Sequence, residues 1–391
     1  MIVRPKDRPP HTLLFILLAV LAFFPIIYAL AVIRAEWFGW VLGGFSFAML
    51  LWMRTTKLWR GWRIALCFGA AFLVALTGLE LAKPEKNVSL MGQIGRETLR
   101  VFMGLPLDKT VRTGEAFDKT KLWEPPDGYE LTVATLPNAR MELLTSLDEG
   151  SNYAVLQLHG GAFVGGLNDL YRTFAVRYSR LCGGAMVATL DYRLYPAYGY
   201  PSQQEDAMDA WNYLTQRLGY PADRIICVGD SAGGNLVLSL SLRLRDEGRP
   251  LPRALVLMSP WADLSNAGPS HLYNARQDPT FNSGADNNGY DIRPVGVDST
   301  YADGLDTTDP YLSPSYGDYA GFPSMLLQVG GYEVLLSDSQ SVYDSCQKHG
   351  VDCTFTIYPG MFHVFQGALN LLPESQNAWE EIGNFLTRVL Q

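Results

Sequence analysis

Five consecutive residues, Gly229-Asp230-Ser231-Ala232-Gly233, carry the strongest chemical signal in this 391-residue chain. They fit Gly-x-Ser-x-Gly and lie between a short apolar run at 225–228 and a helical pattern at 232–245. Between a strand and a helix, such a serine sits on a tight, strained turn. Small residues must flank it, and its hydroxyl is held out beyond the end of the strand. A serine presented this way is a candidate nucleophile for acyl transfer. It then needs a base to take its proton, an acid to orient that base, and N–H donors for the oxygen that becomes negative.

The donors are expected from His159-Gly160-Gly161-Ala162-Phe163, which follows an apolar run at 153–158. Glycines let the backbone approach a substrate closely, so the N–H groups of Gly160 and Gly161, with that of Ala232, form the expected oxyanion hole. One such donor contributes roughly 2.7–4 kcal/mol to the barrier. His159 reads as an anchor of the loop. Of the other histidines, His349 precedes Gly350 at a helix end, where a cation is favoured. His271 falls in an irregular insert without a matching context. His363, in Pro359-Gly360-Met361-Phe362-His363, lies five residues past the last apolar run, where a base for Ser231 is expected. The acid belongs after the run at 325–329. Glu333, in the loop just past it, is the first candidate. Asp338 is the alternative, although the start of a helix explains it without catalysis.

The elements that must position these residues read as an α/β chain. Apolar runs at 153–158, 185–190, 225–228, 254–258, 325–329 and 353–358 alternate with helical patterns at 170–181, 205–217, 232–245 and 337–348. A closing helix is expected at 375–390, and an antiparallel hairpin at 129–134 and 141–145. Strands alternating with helices imply a mostly parallel sheet covered on both faces. The long Asn-, Asp-, Gly- and Pro-rich insert after residue 264 reads as a lid or cap. Cys346 and Cys353 are close enough in sequence to meet across a helix–strand turn, but spacing alone does not pair them.

The first 83 residues differ from the rest. They hold nine Lys/Arg against three acids, so residues 84–391 carry a net charge of −14. An acidic body excludes nucleic acid as an expected partner. Apolar stretches at 12–33, 37–53 and 64–82, charge-free except for Glu80 near the end of the third, have tryptophans near their ends, and the basic residues cluster before the first and between the second and third. These features predict a membrane module of three transmembrane helices, a multi-pass location in the cell membrane, and an extracytoplasmic domain at 84–391. Two spans would instead leave that domain in the cytoplasm. Ala29-Leu30-Ala31 also makes a passable signal-peptide cleavage site.

From 153 to about 385 the chain resembles the hormone-sensitive-lipase-like esterases of the α/β-hydrolase superfamily. The resemblance rests on His159-Gly160-Gly161-Ala162, Asp191-Tyr192-Arg193-Leu194-Tyr195-Pro196, Gly229-Asp230-Ser231-Ala232-Gly233-Gly234, Ser259-Pro260-Trp261 and Pro359-Gly360-Met361-Phe362-His363. It implies an α/β-hydrolase fold with a mostly parallel eight-stranded sheet flanked by helices, and a cap built from 87–125 and 265–322. It further implies hydrolysis of small-molecule or lipid carboxylic esters, of short to medium acyl chain, through an acyl-enzyme and with no metal or organic cofactor. The sequence departs from the family pattern at Ala162, where glycine is frequent, and at Glu333-Val334, where Asp-Pro is frequent. Two other readings use the same fold: an amidase or deacetylase with the same three residues, and a ligand-binding receptor without catalysis.

Overall fold

The computed structural model describes residues 12–54, 63–103, 123–148, 150–281 and 299–391. The chain forms two compact units, Met1–Thr98 and Leu99–Gln391.

In the first unit, α1 (Thr12–Val32), α2 (Trp37–Arg54) and α3 (Arg63–Ala82) pack on one another. Small residues bring α2 and α3 together. A Cβ on Gly39 would lie 2.5 Å from that of Ala82, and one on Gly78 would lie 2.8 Å from that of Leu42. Phe23, Ile26, Leu30, Leu50 and Leu79 fill the space between the helices. A fourth helix, α4 (Leu90–Met103), follows.

Among the described residues, no helix is long and apolar enough to cross a membrane. The expected transmembrane module, its membrane partnership and the multi-pass, extracytoplasmic placement are corrected accordingly. Freedom from charge is a weaker condition than sustained apolarity, and a span needs about 20 predominantly apolar residues. α2 has 18 residues, includes Gly39, Gly43, Gly44 and Ser46, and closes on Arg54. α3 opens on Arg63 and carries Glu80 near its end.

The second unit is built on an eight-stranded sheet. Its strands are β1 (Tyr129–Thr135), β2 (Arg140–Ser146), β3 (Ala154–Leu158), β4 (Met186–Asp191), β5 (Ile225–Asp230), β6 (Ala254–Met258), β7 (Ser324–Gly330) and β8 (Cys353–Tyr358), in the spatial order β1-β2-β4-β3-β5-β6-β7-β8. β2 pairs antiparallel with both β1 and β4, and every later pairing is parallel. The α/β expectation therefore holds, and the physical reason lies in the strands themselves. Successive side chains on β5 and β6 point to opposite faces. Ile225, Cys227, Leu255 and Leu257 enter one core, whereas Ile226, Val228, Val256 and Met258 enter the other. Strands buried on both sides must read as continuous apolar runs.

Helices α5 (Asp169–Leu181) and α10 (Pro373–Val389) close one face, with Phe174, Tyr178 and Trp379 meeting at ring distances of 5.2 Å. The other face is covered by α6 (Ser202–Asn212), α7 (Ala232–Asp246) and α9 (Leu336–Lys348), through residues such as Trp211, Leu236 and Val342. The short α8 (Ser270–Tyr273) lies in the insert between β6 and β7. The helix expected to run to residue 217 ends its α-helical part at Asn212. It then widens into a π turn, closed by the N–H of Leu218 donating to the Tyr213 carbonyl at 3.0 Å, just before the positive φ of Gly219. All five cysteines are free, so Cys346 and Cys353 are not bridged. Of the expected cap segments, 104–122 and 282–298 lie outside the described residues.

Candidate active site

β5 delivers Asp230 and Ser231 to the end of the sheet, and α7 begins at Ala232. Ser231 has φ 51° and ψ −123°, a conformation that costs an L-residue on the order of 1–3 kcal/mol. The surroundings hold it there: its N–H donates to Met258 O at 3.0 Å, and its carbonyl accepts from Trp261 N at 2.9 Å. The flanking glycines are required by space. A Cβ on Gly229 would lie 2.5 Å from Gly233 O, and one on Gly233 would collide with the carbonyl oxygens of Leu158 and His159. The sequence spacing is thus a record of strand and helix meeting at backbone contact.

The loop after β3 is anchored by His159. Its Nδ1 lies 2.7 Å from Gly160 O, its ring stacks on Tyr192 at 4.2 Å, and its carbonyl accepts the Tyr192 hydroxyl at 2.8 Å. Burial lowers the His159 pKa to about 4, so this ring is neutral in the physiological range. Asp230 performs a service that the sequence did not reveal. Its carboxylate accepts the N–H of Gly160 at 3.2 Å and the hydroxyl of Tyr171 at 3.2 Å. The Gly160 N–H is therefore committed inside the protein, and the expectation that it faces a substrate oxygen is corrected. The N–H groups of Gly161, Ala162 and Ala232 make no hydrogen bond among the described residues. Ala162, at φ 53°, takes a left-handed conformation that glycine would adopt freely.

His363 and Glu333 meet as expected. His363 Nδ1 lies 2.8 Å from Glu333 Oε2; the imidazole side chain is 8% exposed and the carboxylate is fully buried. The other Glu333 oxygen accepts the Ser259 hydroxyl at 2.6 Å and the N–H of Gly330. Ser259 also accepts the N–H of Val364 at 3.3 Å, which ties the acid to the segment bearing the base. Burial acts to lower the His363 pKa, but the hydrogen bond and charge of Glu333, with the more distant charges of Asp278 and Asp230, outweigh it. The pKa is raised above the ordinary histidine value. Phe281 packs on the imidazole with ring centres 4.6 Å apart. Asp278 fixes that arrangement by accepting the N–H groups of Thr280, Phe281 and Val334 at 2.8, 3.3 and 2.9 Å.

Asp338 does not reach this group. Its Oδ1 lies 2.8 Å from His271 Nε2, and its Oδ2 accepts the N–H groups of Ala262 and Asp263 at 3.0 and 2.9 Å. Burial, only partly offset by His271, raises its pKa to about 6. Ser231 opens onto a narrow cleft with a volume of about 20 Å³, which is also lined by Ala162, Trp261, His271, Phe281 and Leu335. Sequence reading missed Asp230, Ser259, Asp278 and His271 as members of this neighbourhood. Asp230 and Ser259 stand in sequence motifs, Gly229-Asp230-Ser231-Ala232-Gly233 and Ser259-Pro260-Trp261, but neither motif shows what their side chains bind. Among the described residues, no group of three or more His, Cys, Asp or Glu side chains is arranged to hold a metal ion.

Comparison with known proteins bears on the fold and the family. A family profile described as the alpha/beta hydrolase fold matches residues 155–367. An acetyl-hydrolase of Streptomyces hygroscopicus is 36% identical over 232 residues, which is 59% of this chain and 74% of that protein. An esterase of Acinetobacter venetianus is 33% identical over 234 residues, 60% of this chain and 74% of its own. Among solved structures, an esterase from the bacterial hormone-sensitive lipase family superposes with a TM-score of 0.64 at 30% identity, covering 78% of this chain and 99% of that one.

Proposed function

Because the chain belongs to the family of the alpha/beta hydrolase fold, we propose that it hydrolyses carboxylic esters with Ser231 as nucleophile, His363 as base and Glu333 as the orienting acid. It is a carboxylic ester hydrolase, in keeping with relatives named esterase and acetyl-hydrolase. The observation that carries the residue assignment is the 2.8 Å contact between His363 Nδ1 and Glu333 Oε2. An ionised Glu333 holds the proton on Nδ1 and leaves the Nε2 lone pair for the serine hydroxyl.

The reaction proceeds in two halves. Nε2 takes the Ser231 proton as Oγ forms a bond to the ester carbonyl carbon. The resulting oxyanion is stabilised by the N–H groups of Gly161, Ala162 and Ala232, the last donated from the start of α7. Collapse of this intermediate breaks the bond to the alcohol, which leaves with the proton from Nε2. A water, deprotonated by His363, then attacks the acyl-serine. The acid departs, and the proton returns to Ser231. The positive end of α7 adds to the stabilisation of negative charge beside Ala232.

The cap supplies one side of the cleft through Asn266, His271 and Phe281. The narrow, largely apolar cleft, together with a relative named acetyl-hydrolase, supports acyl chains of short to medium length. The test is a chain-length series of p-nitrophenyl esters from acetate to palmitate, run on wild type and on Ser231→Ala, His363→Ala, Glu333→Gln and Asp338→Asn. The first three variants are expected to lose activity and the fourth to retain most of it. Failure of correctly folded wild type to hydrolyse any ester would overturn the assignment.

A further inference from the structure

His271 is a buried polar residue in a largely apolar cleft, and the mechanism above does not use it. It is 2% exposed, yet it lines the same cleft as Ser231. Two edges of its ring are accounted for. Nε2 meets Asp338 Oδ1 at 2.8 Å. Cδ2 lies 3.6 Å from where a Cβ on Gly268 would stand, against the wall formed by Gly268 and Ser337. The remaining edge carries Nδ1, which is buried and has no hydrogen-bond partner among the described residues. A structural role explains Nε2, because Asp338 needs a partner for the oxygen not used by Ala262 and Asp263. It does not explain Nδ1. A buried polar atom left unsatisfied is destabilising, so one that persists at a binding cleft points to an occupant.

The tautomer identifies that occupant. A carboxylate already accepting two backbone N–H groups binds the protonated ring nitrogen, so Nε2 carries the hydrogen and Nδ1 presents a lone pair. We infer that His271 Nδ1 accepts a hydrogen bond from a hydroxyl group of the substrate, making His271 a specificity-determining residue for hydroxylated esters. This inference rests on the ester-hydrolase reading and narrows it to a substrate class. Sites built to bind a hydroxyl discriminate against the analogue lacking it, because the buried acceptor is then left bare.

The hydroxyl belongs either to the acyl group or to the alcohol, and two matched pairs separate these sources. Ethyl 3-hydroxybutanoate is compared with ethyl butanoate, and glycerol 1-butyrate with propyl butyrate, by the ratio of kcat/KM within each pair. The wild-type enzyme is expected to prefer the hydroxylated member of one pair by about tenfold, the effect of one hydrogen bond. The pair that shows the preference locates the hydroxyl. In His271→Leu the ratio is expected to fall to about one, and His271→Asn, which keeps a polar atom in the cleft, is expected to recover part of it. A purely structural role for His271 would lower both members of a pair alike and leave the ratio unchanged, which would overturn the inference. Equal rates on both members of both pairs in wild type would overturn it without any variant, so a misfolded His271→Leu does not protect it. Wild type inactive on all four esters would instead remove the underlying ester-hydrolase reading, and the inference with it.

Discussion

Two buried histidine–carboxylate pairs stand within one short stretch of this fold, and they are wired in opposite senses. Glu333 and Asp338, five residues apart after β7, each bind an imidazole at 2.8 Å. Glu333 takes Nδ1 of His363 and leaves Nε2 at the tip of the ring, the atom that extends furthest from the backbone. Asp338 takes Nε2 of His271 and leaves Nδ1, close to the ring's own backbone. The remaining oxygens differ as well. Glu333 is supported by Ser259 and Gly330, which tie it to the His363 segment, whereas Asp338 clamps the backbone of Ala262 and Asp263. The same two residue types thus make a proton-transfer unit in one place and a wall of the cleft in the other. The free ring nitrogen decides which.

Removing atoms from the first pair has the largest expected effect. Ser231→Ala or His363→Ala should lower kcat about 10⁴- to 10⁶-fold on a p-nitrophenyl ester, measured under saturating conditions. A loss below 100-fold would equalise the two pairs and refute the assignment. Glu333→Gln should cost about 10³- to 10⁴-fold, because an amide no longer fixes the tautomer or stabilises the imidazolium.

The pH profile sharpens the contrast further. His363 must be neutral to accept the serine proton, and its pKa is raised. Activity should therefore fall as the pH drops through an apparent pKa above the ordinary histidine value of about 6.5. In Glu333→Gln, loss of the carboxylate leaves burial to dominate, so the residual activity should show that limb displaced to lower pH. An unmoved limb would mean that Glu333 does not set the charge on His363.

The second pair should respond mainly in stability. Asp338→Asn weakens contacts to His271, Ala262 and Asp263, and should cost about 1–3 kcal/mol in urea unfolding, with less than a tenfold change in kcat on a plain ester. The smallest effect expected is at Ala162. Ala162→Gly relieves a left-handed alanine and should change stability by about 1 kcal/mol or less, in the stabilising direction, as measured by the shift of the urea midpoint.

The features that sequence carries best are those in which covalent neighbours impose the constraint. Gly229 and Gly233 are glycines because backbone atoms occupy the space of a Cβ, and that leaves a readable spacing around Ser231. The parallel strands are legible because burial on both faces forces uninterrupted apolar runs. Partnerships across the fold leave no such trace. His271 and Asp338 are 67 positions apart, one of them in an insert without periodicity. The engagement of the Gly160 N–H by Asp230 joins residues 70 apart. Glu333 was readable because the acid follows a recognisable strand, although Ser259, which steadies it, was visible only as part of a motif. In the first unit, counting uncharged residues overestimated apolarity: Gly39, Gly43, Gly44 and Ser46 leave α2 without charge before Arg54, yet less apolar than a span requires.

The most direct test of the central claim is to catch the acyl group on the chain. Wild type, His363→Ala and Ser231→Ala would be mixed with p-nitrophenyl acetate, quenched within milliseconds to seconds, digested and read by peptide mass spectrometry. The account predicts one acetyl group on the peptide containing Ser231 in wild type, formed far more slowly in His363→Ala and absent in Ser231→Ala. Acetylation at another residue, or full turnover by Ser231→Ala, would contradict it.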